Sequence, residues 1–246
     1  NDRNSLSHIG IRGIYEDENG LLWIGGYEGL NRFDRRAGKV SVYKNDTGGV
    51  EKNIANVYVI TGDPRSNGTK LWLGQENTGL FHFDIRTETI KRIYRNKSGT
   101  DSLVSTWVYA LLPEPDGSLW VGTDNGVDVV RFDESGEPEF THFINNANNA
   151  KSYSGFRVNE FMKDSKNMLW IVTQGGGVNM VDLNKPETTF VHFRFDGKNL
   201  NSISSNQVKC MLEDRNGTLW FGTDGAGLNQ FNREDGTFIH FTVEDG

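Results

Sequence analysis

Short stretches in which apolar and polar residues alternate run along the whole chain, and turns rich in Gly, Asn and Asp separate them. At the start of the chain this pattern predicts four strands, at 11–16, 21–25, 30–34 and 40–43. Asn19-Gly20 favours a hairpin between the first two strands, because both residues tolerate the positive φ of a tight turn. No window has an apolar period near 3.6 residues, so we expect almost no helix.

The strand pattern occurs in five copies, and one tryptophan lies in the second strand of each copy. These residues are Trp23, Trp72, Trp120, Trp170 and Trp220, which are 49, 48, 50 and 50 residues apart. A unit repeated at a fixed period indicates a repeat architecture. One four-stranded sheet cannot bury both of its faces, whereas sheets stacked radially can. We therefore predict an all-β protein, a β-propeller of five four-stranded blades.

The repeats also predict the extent of each blade. The approximate blades are 4–43, 53–94, 101–143, 151–193 and 201–241, within one propeller region that spans 1–246. We expect the repeated tryptophans to pack between neighbouring blades, where loss of one would cost about 3–5 kcal/mol. Five blades can close into a ring or stay open as an arc. An arc would expose the apolar faces of the first and last blades, which favours a partner.

Composition and charge exclude several classes of protein. Hydrophobic residues make up 35% of the chain and charged residues 24%, a globular balance without the signature of disorder. The net charge of −7 argues against a nucleic-acid partner, which requires a basic surface. No apolar run approaches the roughly 20 residues of a membrane helix, so we expect no membrane contact by this segment itself.

The start of the chain and its single cysteine add two expectations. The chain begins without an initiator Met or a signal sequence, so we interpret it as a processed or excised segment. A single cysteine, Cys210, excludes internal disulfides. It lies in an apolar strand pattern, and we therefore expect a small buried side chain rather than a reactive thiol.

The repeated motifs resemble a known family. Each copy follows the order Asn-Ser-Leu-Ser, a strand, Glu-Asp, Asn-Gly-x-Leu-Trp-Ile-Gly, Gly-Leu-Asn-x-Phe-Asp and x-Phe-x-His-Phe, most completely in 201–232. This order resembles the two-component regulator propeller repeats, and the resemblance extends over nearly the whole chain. The departures are the start of the second copy, Val172 in place of Gly, and Pro113-Glu114-Pro115 near the Glu-Asp position.

The resemblance implies a function as well as a fold. It implies the periplasmic sensor region of a Bacteroides-type hybrid two-component system, which recognises oligosaccharides released from polysaccharides. It also implies that this chain is part of a larger array of seven-bladed propellers. A histidine kinase would lie further along the full protein, and such sensors signal as dimers.

A comparison of the five copies with one another indicates where a ligand could bind. The residue before the first strand varies, as does the second residue of that strand, whereas the residue between them stays apolar. Alternation places the variable residues on the face opposite the packed one. The predicted ligand-binding residues, at the mouth of the propeller channel, are Trp107, Arg157, Gln207, Arg12, Tyr58, Tyr109, Asn159 and Lys209. Aromatic faces with cationic donors suit a sugar that bears carboxylate or sulfate groups. The alternative is that these residues only pack or solvate a loop.

Other polar positions favour a structural interpretation. The turns between the second and third strands contain Tyr27, Glu28, Glu76, Asn77, Asp124, Asn125, Gln174 and Asp224. We interpret most of them as ordinary turn residues. His142, His192 and His240 share one repeated position in the outer strand and are interpreted as scaffold.

Two other functional classes stay open. A propeller lyase would need a catalytic set, but only His8 lies near the start of a first strand, and no base or metal partner for it is evident. We therefore expect no catalytic residue, metal or cofactor in this segment. A scaffold for protein–protein interaction, with self-association as a dimer, is the other alternative.

Overall fold

The computed structural model describes residues 4–44, 54–93 and 102–245. Within these ranges the secondary structure consists of β-strands and two short 3-10 turns, Pro64–Ser66 and Val243–Asp245, and no α-helix occurs there. The predicted blade limits Asn53, Tyr94 and Asp101 lie outside the described residues.

The strands form five sheets, each built from four consecutive strands. The first sheet contains β1 (Ile11–Glu16), β2 (Leu22–Gly26), β3 (Gly29–Asp34) and β4 (Lys39–Tyr43). The second contains β5 (Val57–Gly62), β6 (Lys70–Gln75), β7 (Gly79–Asp84) and β8 (Thr89–Ile93). The third contains β9 (Val108–Pro113), β10 (Leu119–Thr123), β11 (Val127–Phe132) and β12 (Pro138–Phe143). The fourth contains β13 (Val158–Lys163), β14 (Met168–Thr173), β15 (Val178–Asp182) and β16 (Phe190–Phe193). The fifth contains β17 (Val208–Glu213), β18 (Leu219–Thr223), β19 (Leu228–Asn232) and β20 (Thr237–Phe241).

Each sheet is a meander, because every strand pairs with its neighbours in the chain. The strands predicted for the first copy begin and end within one residue of the observed strands. The all-β class and the five four-stranded blades are confirmed. We refer to the sheets as blades 1 to 5.

The blades group into two compact units, which are described separately. Unit 1 comprises residues 1–121 and 128–141, and unit 2 comprises 122–127 and 142–246. In unit 1, Trp23 of blade 1 belongs to a buried cluster with Val57 and Leu73 of blade 2. In unit 2, Trp170 of blade 4 belongs to a cluster with Phe221 of blade 5. In both cases the indole fills the space between two stacked sheets.

A buried carboxylate fixes the tryptophan within its own blade. In blade 1, Asp17 Oδ1 accepts hydrogen bonds from the amides of Asn19 and Leu21, at 2.9 and 3.1 Å. Its Oδ2 accepts the indole N–H of Trp23 at 2.8 Å. The equivalent indole bonds are Trp170–Asp164 at 2.8 Å and Trp220–Asp214 at 2.9 Å. One aspartate side chain therefore accepts hydrogen bonds both from the amides of the hairpin turn and from the indole N–H of the tryptophan.

In blade 2 the equivalent aspartate, Asp63, contacts a histidine instead of a tryptophan indole. The turn of this blade contains Pro64–Ser66, and Asp63 Oδ1 caps it by accepting the amide of Arg65 at 3.0 Å. Asp63 Oδ2 lies 3.0 Å from Nε2 of His82. The imidazole stacks on the ring of Trp72 with 4.0 Å between the ring centroids. The histidine thus takes the position that an indole N–H has in blades 1, 4 and 5.

Two further polar contacts tie the start of the repeat to its sheet in blades 4 and 5, and the first of them also occurs in blade 1. Asn229 of β19 accepts the amide of Ser204 at 2.8 Å, and its side-chain amide donates to Ser204 Oγ at 2.8 Å. His240 of β20 lies 2.6 Å from the carbonyl oxygen of Ser202. Equivalent pairs are Asn31–Ser7, Asn179–Ser154 and His192–Ser152. The Asn, Ser and His residues of the repeated motif therefore form hydrogen bonds within blades 1, 4 and 5.

The expectation that Cys210 is buried was wrong. Its side chain is exposed. In blade 4 the equivalent residue, Glu160, faces blade 5 and accepts the amide of Met211 at 3.0 Å. Cys210 lies on the same face of blade 5, and within the described residues no sheet covers that face. An apolar strand pattern cannot reveal whether a neighbour is present.

The carboxylate–indole contact predicts a pH-dependent stability. Burial alone would raise the pKa of Asp164, but hydrogen bonds from Trp170, the Met168 amide and Arg233 outweigh it and hold the pKa below its ordinary value of 3.8. A carboxylate with a lowered pKa stabilises the fold above its unfolded pKa, and this stabilisation is lost as pH falls through the folded value. We expect Asp164→Asn to lower the free energy of unfolding by about 1–3 kcal/mol at pH 7. Denaturant unfolding between pH 7 and pH 3 should show the difference shrinking at the acid end.

Asp235→Asn provides the control. Asp235 caps a turn through Thr237 and contacts neither an indole nor a guanidinium group. Its substitution should have a smaller effect at pH 7. Equal effects of the two substitutions, or a difference that does not change with pH, would contradict the assigned role of Asp164.

Candidate functional site

The five first strands begin at the apolar residue that the repeat comparison identified. These residues are Ile11, Val57, Val108, Val158 and Val208. The variable positions on either side therefore lie at the same end of each sheet, beside the turn between the second and third strands. All eight predicted ligand-binding residues lie at this end of their sheets.

A β-bulge occurs at the second residue of the first strand. In blade 1 the register shifts between Ile11 and Gly13, so Arg12 has no partner residue on β2. The same shift leaves out Tyr58, Asn159 and Lys209 in their blades. A bulge twists the strand and redirects the side chain of the extra residue. The second residue of the first strand has no partner on the second strand, so different side chains are tolerated there.

In unit 1 these side chains form a continuous line, which we call the aromatic row: Tyr27, Arg12, Tyr58, Tyr109 and Trp107. The guanidinium carbon of Arg12 lies 4.6 Å from the ring centre of Tyr27 and 5.3 Å from that of Tyr58. The rings of Tyr58 and Tyr109 meet edge to face with centroids 4.8 Å apart. The Trp107 and Tyr109 centroids are 6.4 Å apart. The row therefore spans the first strands of blades 1, 2 and 3.

The row presents polar groups as well as ring faces. Arg12 donates to the hydroxyl of Tyr27 and forms no ion pair with any carboxylate in the described part of the chain. Trp107 is 38% exposed, and its indole N–H donates no hydrogen bond to any of the described residues. Tyr109 is buried beneath them. The result is a positive charge held by aromatic faces rather than neutralised by an acid.

The four candidates in unit 2 have mainly structural contacts. Asn159 donates to the carbonyl oxygen of Val208 at 2.6 Å, which joins blades 4 and 5. Lys209 forms an ion pair with Asp224 at 3.1 Å. The carbonyl oxygens of Arg157 and Gln207 accept main-chain amides of Gln174 and Asp224, both at 2.8 Å. We therefore do not find in unit 2 an aromatic and cationic line like that of unit 1.

Sequence reasoning missed Tyr27, which it interpreted as a turn residue. Tyr27 occupies the first position of the turn after the second strand, where the other copies have Glu76, Asp124, Gln174 and Asp224. A lone aromatic residue among acids and amides was the available signal. Its contact with Arg12 has a counterpart in the contact of Asp224 with Lys209, so the two positions are neighbours in both blades.

His8 lies at the end of the row. Its ring meets that of Tyr27 edge to face with centroids 5.3 Å apart. Its Nδ1 accepts the amide of Gly10 at 2.8 Å. Among the described residues no group of three or more His, Cys, Asp or Glu side chains is arranged to hold a metal ion.

Family comparison agrees with the repeat pattern. The family model described as "two component regulator propeller" matches residues 5–28, 102–125 and 202–225, in the first, third and fifth copies. Three of the five copies therefore match two-component regulator propeller repeats. No curated protein sequence matches this chain.

Solved structures show the same fold. The extracellular domain of a protein described as a hybrid two-component system from B. thetaiotaomicron superposes with a TM-score of 0.75 and 24% identity, over 95% of this chain and 30% of that one. The extracellular domain of a protein described as a one-component system from the same organism gives 0.67 and 21%, over 95% and 31%. Virginiamycin B lyase from Staphylococcus aureus gives 0.66 and 18%, over 98% and 72%.

These similarities place the five blades in the β-propeller class. The chain spans less than a third of the length of the two B. thetaiotaomicron structures. Extracellular domains of such systems and a lyase share the fold at low identity, so the fold by itself does not decide the function. In the described residues no helix is long and apolar enough to cross a membrane.

A close approach of two strands holds the row together and can be tested. A Cβ atom on Gly13 would lie 2.7 Å from the carbonyl oxygen of Tyr58. We expect Gly13→Ala to push β1 away from β5, to lower the free energy of unfolding by about 1–3 kcal/mol and to separate Arg12 from Tyr58. Denaturant unfolding measures the loss of stability, and a crystal structure of the variant measures the separation.

Gly197→Ala is the matched control. A Cβ atom there would have its nearest neighbour, the Phe195 ring, at an ordinary distance of 3.7 Å. This substitution should change the stability by less than about 1 kcal/mol. A Gly13→Ala protein as stable as the control would show that the two strands are not locked together.

Proposed function

We propose that this chain is a ligand-sensing propeller segment of an extracytoplasmic signalling protein, and that it binds an oligosaccharide on the aromatic row. The observation that carries the proposal is the unneutralised Arg12 between two tyrosine faces, continued by Tyr109 and Trp107. The ligand class that fits best is an oligosaccharide with carboxylate or sulfate groups.

The comparisons support the sensor role at a coarse level. Three of the five repeats match the two-component regulator propeller model. Two similar structures from B. thetaiotaomicron are extracellular domains, one of a protein described as a hybrid two-component system and one of a protein described as a one-component system. A periplasmic location for this segment is part of the proposal. The signalling output, a histidine kinase in the whole protein, and transmission through a dimer are parts of this proposal.

The chemistry of the row supports an acidic sugar. Guanidinium groups form charge-assisted hydrogen bonds with carboxylates and sulfates, and these are stronger than bonds between neutral groups. Aromatic residues provide apolar faces against which the C–H face of a pyranose ring can lie, while an unbonded indole N–H can donate to a hydroxyl. Charge and ring faces occur side by side only in this part of the described variable positions.

The geometry gives no support to a catalytic role. Hydrolysis or elimination needs a base or acid positioned at the reacting atom. Next to the row, His8 uses Nδ1 to accept the Gly10 amide and packs on Tyr27. Two histidines of the outer strand, His192 and His240, contact serine carbonyl oxygens of the scaffold. We therefore propose binding without turnover for this segment.

The proposal predicts a defined loss of affinity. We expect an acidic oligosaccharide, tested as an oligogalacturonate and as a sulfated galactan oligosaccharide, to bind more tightly than a neutral cello-oligosaccharide of equal length. Arg12→Gln should lower the affinity for the acidic ligand about tenfold or more, since a hydrogen bond to a charged group contributes about 1.5–3 kcal/mol. It should leave the neutral ligand nearly unchanged. Trp107→Ala should weaken both. Isothermal titration calorimetry measures each affinity.

Matched controls are Arg36→Gln, an exposed arginine of blade 1, and Phe195→Ala, an exposed aromatic residue of unit 2. Neither should change the affinity. If Arg12→Gln and Trp107→Ala bind as the wild type does while Asn159→Ala or Lys209→Ala does not, the site lies in unit 2 and the row is excluded. Product formation from any of these sugars would contradict binding without turnover.

A further inference from the structure

The residue before the first strand of blade 1 is Gly10, which has no side chain to offer the variable end of its sheet. The other four copies have a larger residue at this position: Asn56, Trp107, Arg157 and Gln207. The φ angle of Gly10 lies outside the left-handed region that favours glycine. The backbone conformation therefore does not require a glycine here, and the cause lies in the neighbouring side chains.

A tyrosine ring fills the space that a side chain at position 10 would take. A Cβ atom on Gly10 would lie 2.5 Å from Cδ2 and 2.6 Å from Cε2 of Tyr27. It would also lie 3.1 Å from Nδ1 of His8. Carbon atoms in favourable contact are about 3.5–4.0 Å apart, so no side chain fits beneath this ring. In blade 1 the ring of the turn residue Tyr27 therefore replaces the side chain at position 10.

Contacts on three sides hold Tyr27 in this place. Its main-chain amide donates to the carbonyl oxygen of Gly10 at 3.4 Å, and its carbonyl oxygen accepts the amide of Asn56 at 3.1 Å. The edge of the His8 ring supports the tyrosine ring, and His8 is itself fixed because its Nδ1 accepts the Gly10 amide. The tyrosine hydroxyl accepts a hydrogen bond from Arg12. We call Gly10, Tyr27 and His8 the tyrosine brace.

The tyrosine brace determines where the Arg12 side chain lies. A flexible, exposed arginine loses conformational entropy when a ligand fixes it. Here the guanidinium carbon already lies 4.6 Å from the ring centre of Tyr27 and 5.3 Å from that of Tyr58, and one N–H is bound by the tyrosine hydroxyl. Attraction between cation and ring holds the group in place before a ligand arrives. A group ordered in advance binds an anion with a smaller entropy cost.

Blade 5 has a different pair of residues at the same two positions. Its bulge residue is Lys209 and its turn residue is Asp224, and the two form an ion pair at 3.1 Å. In blade 5 the turn residue thus neutralises the cation of the bulge. In blade 1 the turn residue Tyr27 orders the cation and adds no opposite charge. The identity of the turn residue therefore decides whether the charge of the bulge residue is available to a ligand.

We propose that Gly10, Tyr27 and His8 are positioning residues that hold the Arg12 guanidinium group ready for a carboxylate or sulfate, and that Tyr27 determines the specificity of the aromatic row for acidic sugars. The proposed binding of an oligosaccharide at the aromatic row is the basis of this inference. The added element is that acidic specificity comes from the turn residue as well as from the arginine.

Nuclear magnetic resonance of Arg12 tests the tyrosine brace without any ligand, because ring currents shift the signals of protons held over aromatic rings. Tyr27 is 40% exposed, so in Gly10→Ala its ring can swing outward while the sheet stays intact. We expect the Arg12 side-chain signals, assigned by their loss in Arg12→Gln, to move towards those of a free arginine in Gly10→Ala and in Tyr27→Asp. Gly197→Ala is the matched control, since a Cβ atom there meets its nearest neighbour at 3.7 Å, and it should leave the signals unchanged.

Calorimetry measures the consequence for specificity. The readout is the ratio of the affinity for a sulfated galactan oligosaccharide to that for a neutral cello-oligosaccharide of equal length, because a general loss of folding would lower both affinities. Tyr27→Asp reproduces the turn residue of blade 5 and should lower this ratio about tenfold or more. Gly10→Ala and Tyr27→Phe should lower it less, about threefold, because the arginine keeps its charge. Phe195→Asp adds the same charge at an exposed site of unit 2 and should leave the ratio unchanged.

Two results would overturn the inference. Arg12 signals that remain as in the wild type in Gly10→Ala and Tyr27→Asp would show that the tyrosine brace does not position the arginine. A Tyr27→Asp protein with the affinity ratio of the wild type would show that the turn residue does not determine specificity. Failure of the proposed function gives a different result. The wild type would then show no preference for the acidic sugar, which overturns the specificity role, while the Arg12 signals would still respond to Gly10→Ala.

Discussion

The hydrogen bond from a tryptophan indole to an aspartate is the interaction on which blades 1, 4 and 5 depend. A large apolar ring can fill the space between two sheets only if its N–H finds an acceptor, because an unsatisfied buried donor costs about 1–3 kcal/mol. The aspartate supplies that acceptor and uses its other oxygen to hold the hairpin amides, as Asp17 does for Trp23. The blade core and the blade turn are therefore stabilised together.

With the core and turn fixed in this way, the residues at the opposite end of each sheet are free to vary. A bulge at the second residue of the first strand removes that residue from the ladder, as at Arg12. The side chain there can be basic, aromatic or amide at little cost to the sheet. In unit 1 this freedom produces the aromatic row. In unit 2 the same positions tie neighbouring strands and turns together, as Asn159 does with Val208.

The period, the strand limits and the identity of the variable positions were predictable from the sequence, because each copy repeats them and small errors cancel across five copies. Three features were not. The bulge depends on cross-strand register, which a single strand pattern does not contain. The contact of Tyr27 with Arg12 joins residues of different strands and turns. The exposure of Cys210 and Trp220 depends on whether another sheet covers blade 5. The residue pattern within blade 5 does not contain that information.

We propose that a ligand binds at the aromatic row of unit 1. Hydrogen–deuterium exchange of the protein with and without a saturating sulfated galactan oligosaccharide tests this directly, because it reports every edge of the fold in one experiment. Slower exchange confined to peptides that cover 10–13, 26–29, 56–60 and 105–110 is the predicted result. Slower exchange at 157–160 and 206–210 instead, or at none of these segments despite measured binding, would contradict the account.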